Sequence, residues 1–111
     1  MSIVTSDGYL NDAESFPAMV VASSSTIRNL IITCSDIPTG AETAKITVRK
    51  NWQDTVLAAI LDNSTPAGIV GYIEVDDIHS FAVVKGDWIT VRCQTSAGCN
   101  TVQNIMVTLQ T

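Results

Sequence analysis

Charged residues are scarce in this chain, and acidic residues outnumber basic ones. Only 15% of its 111 residues are Asp, Glu, Lys or Arg, against roughly 25% in an average soluble domain. Six Lys and Arg oppose eleven Asp and Glu, which gives a formal net charge of -5. Because the six cations are scattered along the chain rather than clustered, we expect no basic surface for nucleic acid.

Long apolar runs are also missing. No run approaches the roughly 18 apolar residues of a membrane-spanning helix, and residues 1–7 lack the charged start and apolar stretch of a signal peptide. We therefore expect no membrane partner, and synthesis and retention in a cytoplasm. Apolar residues still make up 46% of the chain, which excludes disorder and suits a single domain of this length.

Residues associated with catalysis are few. His79 is the only histidine, so any Ser–His or Cys–His nucleophilic system would need it, and no nucleophile elbow or cysteine-protease signature is present. Glu74, Asp76 and Asp77 precede it. These residue types can hold a divalent cation, but the ligand spacing of an EF-hand is missing. We predict no enzymatic activity, no metal and no cofactor, and expect this segment to be a charged, solvated turn that ends a strand.

The three cysteines form no metal or redox motif. Cys34, Cys93 and Cys99 are an odd number and include no Cys-x-x-Cys pair, which disfavours zinc. A disulfide between Cys93 and Cys99 could close across the intervening turn, but Cys93 occupies an inward position and cytoplasmic thiols stay reduced. Buried free thiols are the favoured interpretation, and a bridge formed after release is the alternative.

Alternating apolar residues indicate β-strands. Val and Ile dominate the apolar set and Thr the polar set, as is typical of half-buried strands. Near the C-terminus the alternation assigns six residues to the inside of the domain: Ile89, Val91, Cys93, Ile105, Val107 and Leu109. Thr90, Arg92 and Thr108 then lie outside, and Met106 is expected to be exposed or at an interface.

The same patterns predict eight strands bounded by Gly, Pro, Asn, Asp and Ser. They are residues 18–23, 27–34, 44–49, 55–61, 69–75, 80–84, 88–93 and 105–110. Residues 53–61 would also fit a helical turn or two, although a strand is favoured. The short turns between the segments favour antiparallel pairing.

Residues 1–15 differ from the rest of the chain because polar residues outnumber apolar ones. Such a segment cannot bury enough surface to order itself. It predicts a flexible N-terminal arm, followed by a β-domain at residues 16–111. Tyr9 and Leu10 are the isolated apolar anchors of the arm, which suit contact with the protein's own sandwich or with a neighbouring subunit.

One aromatic residue suits a ligand. Trp52 follows Arg49, Lys50 and Asn51 at a strand end, so its neighbours are polar and its ring could stack on a sugar. The favoured interpretation is that Trp52 and Trp88 are core or interface anchors, because a sugar site needs several convergent groups.

The order of segments resembles a family pattern. The pieces that carry it are residues 27–32, 44–51, 55–58, 84–91 and 104–109, and the most telling is Lys85-Gly86-Asp87-Trp88-Ile89-Thr90-Val91. They resemble the compact jelly-roll domains of phage virion proteins, which include capsid decoration (cement) proteins, head fibres and trimeric tumour-necrosis-factor-like fibre tips. The resemblance implies a trimer or another assembly bound to a shell or tip, and it carries over no catalytic residue.

These observations together favour an all-β, eight-stranded antiparallel jelly-roll sandwich, with an immunoglobulin-like sandwich as the alternative. The expected function is that of a non-enzymatic virion structural protein, a decoration protein on the virion surface that binds the major capsid protein or another virion protein. The high apolar content favours a homotrimer. The alternative is a receptor- or carbohydrate-binding fibre tip, with a glycan as ligand. The candidate partner-binding residues are Tyr9, Leu10, Trp52 and Met106.

Overall fold

The computed structural model describes residues 2–4, 13–96 and 105–111. The strands in these ranges are β1 (Ser2–Val4), β2 (Ala13–Val20), β3 (Ser25–Cys34), β4 (Ala44–Lys50), β5 (Gln53–Leu61), β6 (Tyr72–Val83), β7 (Trp88–Thr95) and β8 (Met106–Gln110). The described part of the chain contains no helix. The predicted all-β class is therefore confirmed, and residues 53–61 form a strand.

The strands form two antiparallel sheets of four strands each. The first sheet has the order β1-β8-β3-β6 and the second β2-β7-β4-β5. Their inner sides enclose one apolar core. All six residues that alternation placed inside are buried: Ile89, Val91, Cys93, Ile105, Val107 and Leu109. The inward register predicted for β7 and β8 is therefore confirmed.

The two strands predicted at residues 69–75 and 80–84 are one strand, β6. Their predicted separation is wrong, although the irregularity falls where the turn was expected. The pairing of β6 with β3 shifts register between Leu30↔Asp76 and Arg28↔Ser80. Three residues of β6 therefore lie opposite one residue of β3, which is a bulge and not a chain reversal.

Part of the segment predicted as a flexible arm is paired in the structure. Ser2–Val4 forms β1 and pairs with β8, and β2 already begins at Ala13. Pairing explains this, because β8 would otherwise expose a row of unpaired backbone groups along its outer edge. Tyr9 and Leu10 lie outside the described residues, and the division of the chain at residue 15 stays a prediction.

Thr90 is the other departure from the predicted pattern. It lies on the outer side of the second sheet, as alternation requires, yet only 1% of its surface is exposed. Arg49 lies opposite it in β4, and Arg92 follows two residues along β7. β7 is an inner strand with β2 and β4 on either side, and long side chains of neighbouring strands can cover a small outward residue, so Thr90 is buried without belonging to the core.

Candidate functional site

The outer side of the first sheet carries two cross-strand rows of side chains. The rows are Met106–Thr33–Ile73 and Thr108–Ile31–Val75. The intervening residues Ile32 and Val107 are fully buried, so alternation turns both rows away from the core. Neither row contains a charged residue.

The aliphatic members of these rows, Ile31, Ile73, Val75 and Met106, are called the apolar face below. Met106 and Val75 are each 49% exposed, and Ile31 and Ile73 are half-buried. The outer side of an antiparallel sheet is ordinarily polar. The outer side of the second sheet follows that rule more closely, since it mixes Val56 and Ile60 with charged residues such as Lys45.

A short loop extends the apolar face at one end of the sandwich. Ile69 and Val70 form its tip, and both side chains project into solvent. The loop closes on itself, because the Gly68 N–H donates to the Gly71 carbonyl at 2.9 Å. The tip is thus presented by a fixed backbone.

Gly71 fixes the base of this loop against β3. Its φ is +73°, and a Cβ there would lie 2.3 Å from the carbonyl oxygen of Cys34. Only glycine fits so close an approach in this backbone region. Between the tip and the apolar face lies a groove of about 470 Å³, whose lining includes Thr33, Cys34, Ile69, Val70, Ile73 and Met106.

Two tryptophans form a second exposed surface at the opposite end. The rings of Trp52 and Trp88 lie 5.9 Å apart between centroids with an interplanar angle of 42°, and they are 50% and 45% exposed. Val20 pairs with Trp88 across β2 and β7 and is also exposed. We call these three residues the tryptophan patch.

Trp52 occupies an unusual backbone conformation. Lys50 and Gln53 are paired at the end of the β4–β5 hairpin, and the two turn residues Asn51 and Trp52 have φ of 51° and 68°. Positive φ at both positions defines a type I′ turn, whose second position favours glycine. A bulky residue there is strained.

Hydrogen bonds join this turn to the β6–β7 turn beside it. Asn51 donates its backbone N–H to the Trp88 carbonyl at 2.8 Å, and its side-chain oxygen accepts the Trp88 N–H at 2.9 Å. The Asn51 amide nitrogen donates to Asp87 at 3.0 Å. Arg49 donates to the Trp52 carbonyl. Both rings are therefore attached to one rigid backbone unit.

The acidic segment around His79 has a structural arrangement of its own. Asp76 is only 6% exposed, and its carboxylate accepts the backbone N–H groups of Ile78 and His79 at 3.1 and 3.2 Å. These donors are in the β6 bulge. The other oxygen lies 2.8 Å from His79 Nδ1 and accepts the N–H of Ala58 in β5 at 3.2 Å. One carboxylate thus links the edge strands of the two sheets.

The hydrogen bonds decide the charge state of Asp76. Burial raises the pKa of its carboxyl, but bonds from His79, Ile78 and Ala58 together outweigh burial and leave the pKa below its ordinary value. The side chain of His79 is half exposed. In the described ranges no group of three or more His, Cys, Asp or Glu side chains is placed to hold a metal ion.

Cys34 is a buried free thiol. Burial, with a smaller contribution from the charge of Asp36, raises its pKa to about 11, so the reactive thiolate is scarce near neutral pH. Cys93 is buried in the core. Cys99, and with it the alternative of a Cys93–Cys99 bridge, lies outside the described residues.

The structure separates the predicted partner-binding residues. Met106 lies on the apolar face at one end of the sandwich, and Trp52 lies in the tryptophan patch at the other. The sequence reasoning missed Ile31, Ile73 and Val75, although the consecutive apolar residues at 30–32 signalled a strand with two apolar sides.

Comparisons of the chain with protein families, with curated proteins and with solved structures find no match. Among the described residues, no helix is long and apolar enough to cross a membrane.

Proposed function

We propose that this protein is a non-enzymatic structural component of a phage particle, a decoration protein that binds and stabilises the assembled shell as a homotrimer. The observation that carries the proposal is the apolar face. Its two rows contain four aliphatic residues and no charge, and exposure of these side chains to water is unfavourable. Covering one of them fully contributes about 1.5–3 kcal/mol to the free energy of association.

The strand order supports a jelly-roll fold within this proposal. In a jelly roll, two Greek keys place the first strand beside the last and interleave the remaining strands between two sheets. The observed orders β1-β8-β3-β6 and β2-β7-β4-β5 have this interleaving. The fold itself carries no function, so the proposal depends on the exposed surfaces.

Self-association is the first use of the apolar face. A closed cyclic arrangement buries the same patch on every copy and leaves no patch exposed at either end of the assembly. The Ile69–Val70 tip continues the apolar face and enlarges the area that a neighbouring copy covers. Shell binding then uses surfaces that the trimer leaves outside, and Tyr9 and Leu10 stay candidates for this contact from the sequence alone.

The proposal is tested with one substitution on each sheet. Val75→Lys places a charge on the apolar face, and Val56→Lys places one at a similarly exposed valine on the outer side of the second sheet. Light scattering should give a trimer for the wild type and for Val56→Lys, and a monomer near 11.9 kDa for Val75→Lys. Melting temperatures report whether each variant folds.

Shell binding is measured separately by co-sedimentation with assembled capsid shells of the parent phage. The wild type and Val56→Lys should sediment with the shells, and Val75→Lys should stay in the supernatant, since the shell contact needs the trimer. A wild-type protein that is monomeric at micromolar concentration and does not sediment with shells would contradict the proposal.

A receptor- or carbohydrate-binding fibre tip is the second candidate function. The tryptophan patch is the observation that favours it, because exposed aromatic rings are typical of binding surfaces.

A further inference from the structure

The tryptophan patch combines exposure with backbone strain. A glycine at position 52 would adopt a φ of 68° without strain, whereas a tryptophan there does so at a cost. The ring is half exposed, so core packing does not explain its presence. Strained backbone that holds a side chain in solvent is a feature of binding sites.

The patch is also organised before any ligand arrives. The hydrogen bonds between Asn51, Asp87 and Trp88 lock the two turns together. A second bond from Asp87, at 2.8 Å from the Val84 N–H, closes the β6–β7 turn. Binding to rings on a fixed backbone loses little conformational entropy.

The chemistry around the rings selects the class of ligand. Gln53 is exposed beside the two turns. Arg49 and Asp54 form an ion pair at 3.0 Å, Lys50 lies near enough to Asp87 to favour its charged form, and Lys85 adds an exposed positive charge. The surface therefore offers two aromatic faces, hydrogen-bonding groups at the rim and little net charge. The apolar face, by contrast, is aliphatic.

We propose that the tryptophan patch is a binding site for an uncharged glycan built from β-linked glucose-type pyranoses. Both faces of such a ring present only C–H groups, which are attracted to the negative face of an aromatic ring. Its equatorial hydroxyls point outward, toward the rim that Gln53 provides. The two tilted rings would contact neighbouring sugar units.

This site is independent of the proposed shell binding and trimerisation. It lies on the second sheet at the end where β4 ends and β7 begins, whereas Met106 and the Ile69–Val70 tip lie on the first sheet at the other end. A particle protein could use both surfaces at once.

Tryptophan fluorescence reports on this site alone, because Trp52 and Trp88 are the only tryptophans in the chain. The probes are hexasaccharides of β-1,4-linked glucose and of β-1,4-linked N-acetylglucosamine, titrated to millimolar concentration. At least one should change the emission in a saturable way with one site per chain. Calorimetry on the same sample should give the same affinity.

Trp52→Gly is the decisive variant. It removes one ring and relieves the positive φ, so it should weaken binding at least about tenfold while the melting temperature stays close to that of the wild type. Ile60→Thr, at an exposed aliphatic residue of the same sheet, should bind like the wild type.

Three outcomes would overturn the inference. They are the absence of saturable binding by either hexasaccharide, binding that survives in Trp52→Gly, and a Trp52→Gly protein that loses its trimer or its shell binding instead. The last result would assign the patch to a protein interface. Because trimer and shell binding are measured separately, failure of the sugar site is distinguishable from failure of the proposed function.

Discussion

Asp76→Asn tests the link between the two sheets with almost no change in side-chain size. One Asp76 oxygen accepts the N–H groups of Ile78 and His79, and the other accepts the N–H of Ala58 and contacts His79 Nδ1. An asparagine amide replaces one of these acceptors with an NH2 donor. Whichever way the amide is oriented, a backbone donor then faces another donor.

The expected loss of stability follows from these contacts. At least one backbone hydrogen bond disappears, and the others lose their charged acceptor. A hydrogen bond to a charged group contributes about 1.5–3 kcal/mol and a neutral one about 1 kcal/mol. We expect a loss of about 2–4 kcal/mol, a large share of the roughly 5–15 kcal/mol that stabilises a domain.

The loss should depend on pH with a defined sign. The pKa of Asp76 in the folded protein lies below its ordinary value of 3.8. The stabilisation by its carboxylate is therefore fully present above that value and disappears as the pH falls through the folded pKa. The difference between wild type and Asp76→Asn should be large at neutral pH and shrink below about pH 4.

Urea unfolding followed by tryptophan fluorescence at several pH values measures this difference. Asp77→Asn is the matched control, because Asp77 is the next residue and is exposed; it should change the free energy of unfolding little. Equal effects of the two substitutions, or an Asp76→Asn loss that is the same at pH 3 and pH 7, would refute the role given to this carboxylate.

Two further pairs of variants test the backbone and the register by thermal melts. Gly71→Ala should lower the free energy of unfolding by several kcal/mol, because the added Cβ meets the Cys34 backbone. Gly40 has a similar φ but open space around it, so Gly40→Ala should cost only about 1 kcal/mol. Equal losses in the two variants would contradict the contact at Gly71. Val91→Asp should lose several kcal/mol by burying a charge. Thr90→Val should raise the free energy of unfolding by about 1 kcal/mol, because the buried Thr90 hydroxyl has no hydrogen-bond partner in the described ranges. A less stable variant would show that this hydroxyl does have a partner.

The sequence was most informative where one local rule decides the outcome. In β7 and β8 alternation alone separates inside from outside, so Val91 and Val107 could be placed correctly. Alternation places Thr90 on the outer side correctly but does not predict its burial, because burial there depends on neighbouring strands and pairing between distant segments is not visible in a local pattern.

The candidate surfaces were harder to predict for the same reason. The apolar face exists because Ile31 in β3 lies beside Val75 in β6, residues far apart in the chain. The bulge at residues 77–79 was predicted as a turn, since an Asp side chain that accepts a backbone N–H two residues on is typical of turns, and Asp76 makes this bond within the bulge. Trp52 was singled out from its polar neighbours, but its positive φ and its contact with Trp88 required the structure.

The closed loop that carries Ile69 and Val70 has a consequence for the rate at which the proposed assembly would form. A flexible loop must adopt its bound conformation after each collision, and many encounter complexes dissociate before it does so, which lowers the association rate. Here the Gly68–Gly71 hydrogen bond and the contact of Gly71 with β3 set that shape during folding. Encounters between this tip and a complementary surface are limited by orientation and not by rearrangement of the loop.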